Sequence, residues 1–244
     1  MQNEQSEELK KQLETLRESD EAKGLLFELL GQITAQRTSD DICRTAVEGV
    51  RRCLGFERAG LFLVDKKSGW FKGTYGTDLN GTTTDERDLI MDDQTGGRIE
   101  RILKGESDLE RGCELGEPRA RPGEEDVKAD LVALKLRGRL YGILSVDNRL
   151  TRRPISDREL AYIFLTSQVL GNALEMTRAR EALAQSEERF RQVAENSGSW
   201  IWELDAEGRY TYSSSVVRDV LGVDPETLAN QPFIDRVAEE DRDK

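Results

Sequence analysis

The chain has 244 residues, with 36 Lys and Arg against 48 Asp and Glu, and a formal net charge of −12. Such an acidic chain repels nucleic acid and anionic lipid surfaces, so neither is expected as a partner. It contains no histidine, which excludes histidine-activated nucleophiles, histidine-ligated zinc, axial-histidine haem and a phospho-accepting histidine from these residues.

Cysteine usage and the start of the chain indicate a reducing compartment. The three cysteines are an odd number without close spacing. No secretory signal and no apolar run long enough to cross a bilayer is present, so we expect a cytoplasmic protein without a membrane partner. Neither a GxxxxGK[ST] loop nor a CxxC pair occurs, and we expect no metal site and no catalysis by this chain.

The first 24 residues are almost entirely polar and follow a helical pattern. Leu9, Leu13 and Leu16 are spaced four and three residues apart, as in the seam of a coiled coil. We therefore predict a short coiled-coil helix over residues 1–24 that pairs with a second copy of the chain. The alternative is a solvated helix without a partner.

Residues 25–175 alternate helical and strand patterns. A helix follows Ser39 and ends at Gly55, and "RAGLFLVD" and "WFKGTYGTD" follow as two strands. Thr95 then begins a short helix. Residues 106–125 are rich in Arg, Glu, Gly and Pro, and they are predicted to form a mobile loop rather than core.

A tight hairpin and one very long helix complete this pattern. "DLVALKL" and "LYGILSVDN" flank the turn "RGR", and the next helix starts with a capping box formed by Ser156 and Glu159. The helical pattern continues for roughly 40 residues, to about Asn196, which is too long for an ordinary globular helix.

The last part of that helix, residues 176–196, is nearly all polar. Its apolar residues Leu183, Phe190 and Val193 keep heptad spacing. This spacing predicts a connecting helix that pairs with its copy in a parallel homodimer and transmits a twist or register shift. The alternative is a solvated spacer.

The C-terminal part, residues 197–244, switches to a period of two. Trp200 and Trp202 share one strand face in this alternation, and Tyr210 and Tyr212 share a face of the returning strand. A two-stranded ribbon is marginal alone in water, so these aromatic faces are expected to lack partners within the chain.

The segments "LGFERAGLFLVD", "GTYGTDLNG", "LKLRGRLYGILSVDN" and "RPISDRELAYIFLTSQVLGNALE" occur in the order found in GAF domains, and residues 25–175 resemble that family. From "ALAQSEERFRQVAENS" through "WIWELDAEGRYTYSS", "VLGVDPETL" and "VAEEDR", the chain resembles the first part of a PAS domain. PAS domains often carry His-Pro where Val237, Ala238 and Glu239 stand here.

These resemblances imply an α+β fold: a GAF-type antiparallel sheet flanked by helices, helices of coiled-coil type before and after it, and a truncated PAS unit. GAF and PAS units resemble input modules that precede histidine kinase, diguanylate cyclase or transcriptional output domains. The expected function is therefore a sensory input module that binds a small ligand or relays a signal to an output domain, a histidine kinase in first place.

The GAF resemblance also implies a small ligand between the sheet and the flap side. Two adjacent glycines before a helix can cradle an anion through backbone N–H groups. The alternative is that these glycines only permit a turn and the aromatic residues fill the core. The candidate ligand-binding residues are Phe62, Trp70, Tyr75, Thr77, Thr95, Gly96 and Gly97.

No particular cofactor is predicted. The motif of cyclic-nucleotide-binding GAF domains is absent, bilin attachment beside a histidine is excluded, and no cysteine follows Cys113 for flavin photochemistry. We expect Cys113 to be exposed, with its thiol pKa raised by acidic neighbours. Two alternatives remain: a dimerisation scaffold without a ligand, and a thiol redox enzyme resembling the free methionine sulfoxide reductases, which are GAF proteins.

Overall fold

The computed structural model describes residues 2–78, 80–91, 97–115, 127–196 and 198–237. The chain forms two compact units, Met1–Arg178 and Ala179–Lys244. Its helices are α1 (Gln2–Ala35), α2 (Ser39–Leu54), α3 (Arg98–Lys104), α4 (Asp157–Asn196), α5 (Val217–Leu221) and α6 (Pro225–Leu228). Its strands are β1 (Arg58–Val64), β2 (Phe71–Thr77), β3 (Thr83–Asp85), β4 (Ile90–Met91), β5 (Leu109–Leu115), β6 (Val127–Leu136), β7 (Arg139–Asp147), β8 (Trp202–Leu204) and β9 (Tyr210–Ser213).

The first unit is built on one antiparallel sheet with strand order β3-β2-β1-β7-β6-β5, and β4 pairs with β2 outside this path. The central strands β1 and β7 align residue by residue, from Arg58 opposite Asp147 to Leu63 opposite Gly142. Helices flanking an antiparallel sheet make up the expected α+β class, so the predicted fold class is confirmed.

Helices α1, α2 and α4 cover one side of this sheet, which we call the three-helix face. Helix α2 buries the predicted positions Ile42, Ala46, Val50 and Cys53 because residues three and four apart share one side of a helix. Gly55 ends the helix at a φ of 76°, a left-handed conformation that favours glycine. The core under this face also takes Leu29 and Ile33 of α1, Leu61 of β1, Leu144 of β7, and Ile163, Leu170 and Leu174 of α4.

The opposite side of the sheet carries α3, and we call it the α3 face. Ile99 and Ile102 of α3 are fully buried against Phe62, Phe71 and other strand residues. The cluster is completed by Cys113, Leu131, Ala133 and Ile143. Each central strand therefore alternates between two apolar clusters, as a sheet buried on both sides requires.

Helix α4 begins with the predicted capping box. The Ser156 hydroxyl accepts a hydrogen bond from the Glu159 backbone N–H at 3.3 Å, and the Glu159 carboxylate accepts one from the Ser156 N–H at 2.8 Å. Arg153 also donates to Glu159 at 2.7 Å. Burial alone raises the pKa of Glu159, but these bonds outweigh it and lower the pKa below its usual value. The helix then runs for 40 residues, in agreement with the sequence pattern.

Two expectations for residues 106–125 are wrong. Leu109–Leu115 form the edge strand β5, which pairs with β6, while residues 116–126 lie outside the described part of the chain. Cys113 is buried, not exposed, because it lies opposite Ala129 and points into the α3-face cluster. The strand was not predicted because its sequence is rich in charged residues. In the fold these charges are paired: Arg101 donates to Glu110, and Arg111 donates to Asp130.

The second unit contains the β8–β9 hairpin, α5, α6 and a 3-10 turn at Phe233–Arg236. Tyr210 is buried and packs with Val217, Leu228 and the half-buried Trp200. The ring of Trp202 stacks on that of Phe233 at 5.0 Å. The expectation that these rings lack partners is therefore wrong for these residues, since the two helices and the turn supply them.

The predicted shared face of Tyr210 and Tyr212 is also wrong. A bulge sets Tyr210 opposite Leu204 and Tyr212 opposite Glu203. Leu204 and Glu203 are consecutive residues of β8, so their side chains leave opposite faces of the hairpin. Both tyrosine hydroxyls are buried, without a hydrogen-bond partner among the residues that the structure describes.

Candidate functional site

Three of the predicted ligand-binding residues lie on or beside the α3 face. Phe62 is buried in its cluster and Trp70 packs against it half-buried. Gly97 precedes α3 at a φ of 81°, and no side chain caps that helix. Thr95 and Gly96 lie outside the described residues, so the glycine-based anion cradle stays a prediction.

The other two predicted residues, Tyr75 and Thr77, are not brought together with Phe62. A register shift in the β1–β2 pairing sets Leu61 opposite Tyr75 but Phe62 opposite Gly73. The extra residue, Thr74, reverses the alternation of β2. Tyr75 therefore packs on the three-helix face, and Thr77, two residues on, bonds to the backbone of Ala59.

Tyr75 ties the sheet to α2 instead of lining a pocket. Its hydroxyl donates to the Asp40 carboxylate at 2.9 Å and accepts from Arg87 at 2.9 Å. Arg87 also pairs with Asp40, and its guanidinium lies 5.3 Å from the Tyr75 ring centre. Burial, followed by the bond to Asp40, raises the pKa of Tyr75, so this phenol stays protonated as a structural link.

Three strand glycines on the α3 face are each covered by a close neighbour, and the sequence did not mark them as a site. A Cβ built on Gly76 would overlap the Glu86 carboxylate, and one built on Gly73 would overlap the Glu86 backbone oxygen. At Gly60, the three nearest atoms to such a Cβ all belong to the Phe62 ring, at 3.1 to 4.0 Å. Three glycines in two adjacent strands are a signal of close approach to the backbone.

Ser145 of β7 lies beside these glycines. It lies opposite Gly60 on one side and opposite Leu131 on the other, so its side chain points to the α3 face. It is only 6% exposed, yet none of the side-chain hydrogen bonds among the described residues involves its hydroxyl.

Charged pairs close the two ends of the α3 face. Arg58 donates two bonds to the Asp147 carboxylate, at 3.1 and 2.9 Å, beyond Ser145 in the same strands. At the α3 end, Arg101 donates to Glu110 at 3.0 Å. Burial alone raises the pKa of Glu110, but the bonds from Arg101 and Ser107 outweigh it and lower the pKa, so Glu110 stays ionised.

The cysteines are placed poorly for redox chemistry. Cys43, Cys53 and Cys113 are all buried free thiols. Burial raises the pKa of Cys43 to about 11. Burial also raises the pKa of Cys113, although the Arg98 guanidinium 4.0 Å from its Sγ acts in the opposite direction. A thiolate is the reactive form, so both thiols are held in the unreactive state.

These thiols are therefore expected to resist modification in the folded protein. With a pKa of about 11, only about one Cys43 thiol in a thousand is ionised at pH 8. We expect Ellman's reagent to label the native chain at least about tenfold more slowly than the urea-unfolded chain. Rapid native labelling at Cys113, located by mass spectrometry with the C113S variant as control, would restore the redox enzyme as a candidate.

The predicted dimer residues whose side chains are described occupy the outer surface of α4. Leu183 is 61% exposed, Phe190 52% and Val193 66%, all on α4. In α1, the described Phe27 is 68% exposed and continues the spacing of the N-terminal seam. Leu9, Leu13 and Leu16 lie within α1, and their side chains are outside the described residues.

Neither a metal cluster nor a membrane span is found in the described part of the chain. No three Cys, Asp or Glu side chains there are grouped so as to hold a metal ion. No helix there combines the length and the apolar character that crossing a bilayer requires.

Comparison with known families agrees with this architecture. The GAF domain model matches residues 38–174, which is more than half of the chain. The chain belongs to the GAF domain family. The PAS fold model matches residues 188–244, and residues 175–187 lie between the two matches. The GAF match covers all strands of the sheet with α2, α3 and the first part of α4, and the PAS match covers the β8–β9 hairpin.

Individual relatives support the same assignment. The methyl sulfide methyltransferase-associated sensor of Methanosarcina acetivorans is 32% identical over 94 residues, which is 38% of this chain and 9% of that relative. Among solved structures, bacteriophytochrome RpBphP3 from R. palustris is similar, with a TM-score of 0.54 and 16% identity, over 72% of this chain and 41% of that one. A methyl-accepting chemotaxis protein fragment gives a TM-score of 0.50 and 18% identity over 63% and 99%. At these identities the two structures show the fold alone.

Proposed function

We propose that this chain is the dimeric input part of a larger sensor. In this proposal the GAF domain binds a small ligand on the α3 face of its sheet. Helix α4 of each copy pairs with the α4 helix of the other copy. Ligand binding shifts the register of this helix pair, and the shift passes to the PAS unit and on to an output domain. A histidine kinase is the favoured output, because GAF and PAS units in this order resemble the input modules of such kinases.

The observation that carries the proposal is a stripe of exposed apolar residues along α4. Leu165 is 44% exposed and Met176 57%, and both are in heptad register with the three predicted seam residues. Solvent-exposed apolar side chains at heptad spacing are typical of a coiled-coil seam. The heptad positions are seven apolar residues and two polar ones: Leu165, Val169, Asn172, Met176, Ala179, Leu183, Ser186, Phe190 and Val193.

The stripe favours a parallel pair. In a twofold dimer, the same face of α4 meets its own copy, and parallel pairing sets each heptad residue beside its counterpart. Asn172 and Ser186 are the polar residues of the stripe, and a polar residue such as Asn in a coiled-coil seam specifies register. A change of register in one part of such a pair displaces the rest, which is how a helix transmits a signal.

Sedimentation velocity of the purified chain tests this proposal. We expect a dimer at micromolar concentrations, with the mass of two 27.6 kDa chains. A chain that stays monomeric at high micromolar concentration contradicts the relay. Thermal unfolding against a panel of metabolites tests the ligand half separately: if no compound raises the melting temperature, the dimerisation scaffold is favoured over the ligand sensor.

A further inference from the structure

The edge strand β5 carries a bulge at Arg111 and Gly112. On either side of the bulge the strand pairs regularly with β6, but these two residues together face the single residue Asp130. Gly112 takes a φ of 60° there, a left-handed conformation that favours glycine. A bulge of this kind turns side chains away from the alternation of a regular strand.

Helix α3 contacts this bulge from its own side of the sheet. The guanidinium of Arg98, the first residue of the helix, donates to the backbone oxygens of Arg111 at 2.6 Å and Gly112 at 2.9 Å. A further bond from α3 to the same strand, from Arg101 to Glu110 at 3.0 Å, lies outside the bulge. Arg98 therefore links α3 directly to the two residues that break the regular pairing.

A buried carboxylate binds the bulge from the other side of the sheet. Asp130 follows Ala129 and precedes Leu131, whose side chain belongs to the α3-face cluster, so the alternation of β6 directs Asp130 to the three-helix face. It is only 7% exposed. Its oxygens accept from the Gly112 N–H at 2.8 Å and from the Arg111 side chain at 3.3 Å. A buried carboxylate is costly unless it is hydrogen-bonded, so these contacts fix the bulge.

The side chain of Arg111 continues from the bulge to the start of α4. Its guanidinium donates to the carbonyl of Ile155 at 2.8 Å, two residues before the helix begins. It also lies 3.9 Å from the carboxylate of Asp157, the first residue of the helix. The rigid fork of an arginine carries five donors, so one side chain contacts Asp130 and Ile155 together. Because α4 is a single helix of 40 residues, the orientation of its first turn affects the whole helix.

We propose that the β5 bulge couples α3 to the start of α4, with Arg98 and Arg111 as the two positioning residues. Arg98 contacts the backbone of the bulge, and Arg111 contacts the carbonyl before α4. A shift of α3 therefore moves Arg111, and with it the first turn of α4. Hydrogen-bond networks between rigid elements carry coupling of this kind. The role of the bulge as a signal route rests on the proposed function, in which the ligand binds on the α3 face and α4 relays the change.

Native-state hydrogen exchange of the full chain, measured by mass spectrometry, tests the coupling without a ligand. Arg98→Gln removes the charged donors from α3, and we expect the amides of residues 159–164 in α4 to exchange at least about threefold faster. The β7 amides are expected to keep their rates, which distinguishes this change from a global loss of stability. The control Arg101→Gln loosens α3 from β5 outside the bulge and is expected to leave α4 unchanged. Equal effects of the two variants on α4 overturn the proposal.

A double-variant cycle tests whether the coupling passes through Arg111. Arg111→Lys keeps the positive charge but loses the fork that contacts Asp130 and Ile155 together, and we expect it to accelerate exchange in α4 by itself. Adding Arg98→Gln to Arg111→Lys is then expected to accelerate it no further, because residues of one network are not additive. Multiplicative effects of the two substitutions contradict a shared route. If Arg98→Gln does not fold, the milder Arg98→Lys replaces it in both experiments.

Failure of the coupling and failure of the proposed function give different results. If the chain dimerises through α4 and a metabolite stabilises it, but Arg98→Gln leaves exchange in α4 unchanged, the signal takes another route and only the coupling is wrong. If Arg98→Gln accelerates exchange in α4 of a chain that stays monomeric at high micromolar concentration, the coupling holds and the relay by a helix pair is refuted.

Discussion

Replacing Gly142 with alanine is expected to destabilise the GAF domain by about 3 kcal/mol. Gly142 lies in β7, opposite Leu63 of β1 and Leu134 of β6. A Cβ there would overlap the carbonyl oxygen of Phe62 and lie 3.0 Å from the Leu63 Cα. These are backbone atoms of a central strand, so they cannot move aside as the end of a flexible side chain does.

The matched control is Gly171→Ala in α4. Its Cβ would meet Lys135 and Leu136 at 3.6 and 3.8 Å, which is ordinary van der Waals contact. Glycine inside a helix is less stable than alanine by roughly 0.5–1 kcal/mol, so this variant is expected to gain about that amount. Urea unfolding followed by far-ultraviolet circular dichroism measures both. Equal stability of Gly142→Ala and the native chain would show that β1 and β7 are not packed as described.

Much of the helical structure could be predicted from local sequence patterns, namely helical spacing and capping residues. The α2 positions Ile42, Ala46, Val50 and Cys53 and the terminating Gly55 each have one local cause, helical spacing or a left-handed cap. The capping box at Ser156 likewise depends on residues three apart. Interactions over so few residues are readable before any tertiary contact is known.

The strand faces were predicted less well because a bulge has no clear local signal. One extra residue in β2 and one in β9 reverse the alternation of each strand, and with it the side of Tyr75 and Tyr212. Strand β5 was missed since its charges pair with α3 and β6, neighbours that lie in other parts of the sequence. A register error of one residue moves every later side chain to the other face.

The candidate site shows the same limit. The glycines at 60, 73 and 76 were visible in the sequence, but their shared face depends on the pairing of β1 with β2. Glu86 reaches that face only through the turn that follows β3. Ser145 belongs to a strand predicted correctly, but the face that its side chain takes depends on the pairing of β7 with β1 and β6.

Replacing Leu183 with glutamate is expected to weaken the α4 dimer by at least about a hundredfold. Burying a leucine side chain is worth about 1.5–3 kcal/mol, and a twofold dimer loses two of them. The substitution also sets two like charges beside each other in the seam, which adds repulsion. Leu183 is 61% exposed in the single chain, so the stability of the monomer is expected to change little.

The control for this variant is Ala184→Glu, one residue further along α4. Ala184 is also exposed, but in the heptad that contains Leu183 it lies outside the seam and points away from the partner. Sedimentation velocity over a range of concentrations compares the two. If both glutamate variants dimerise as well as the native chain, the dimer interface lies elsewhere. Helix α4 would then not be the relay, because a helix that does not contact its copy has no register to shift.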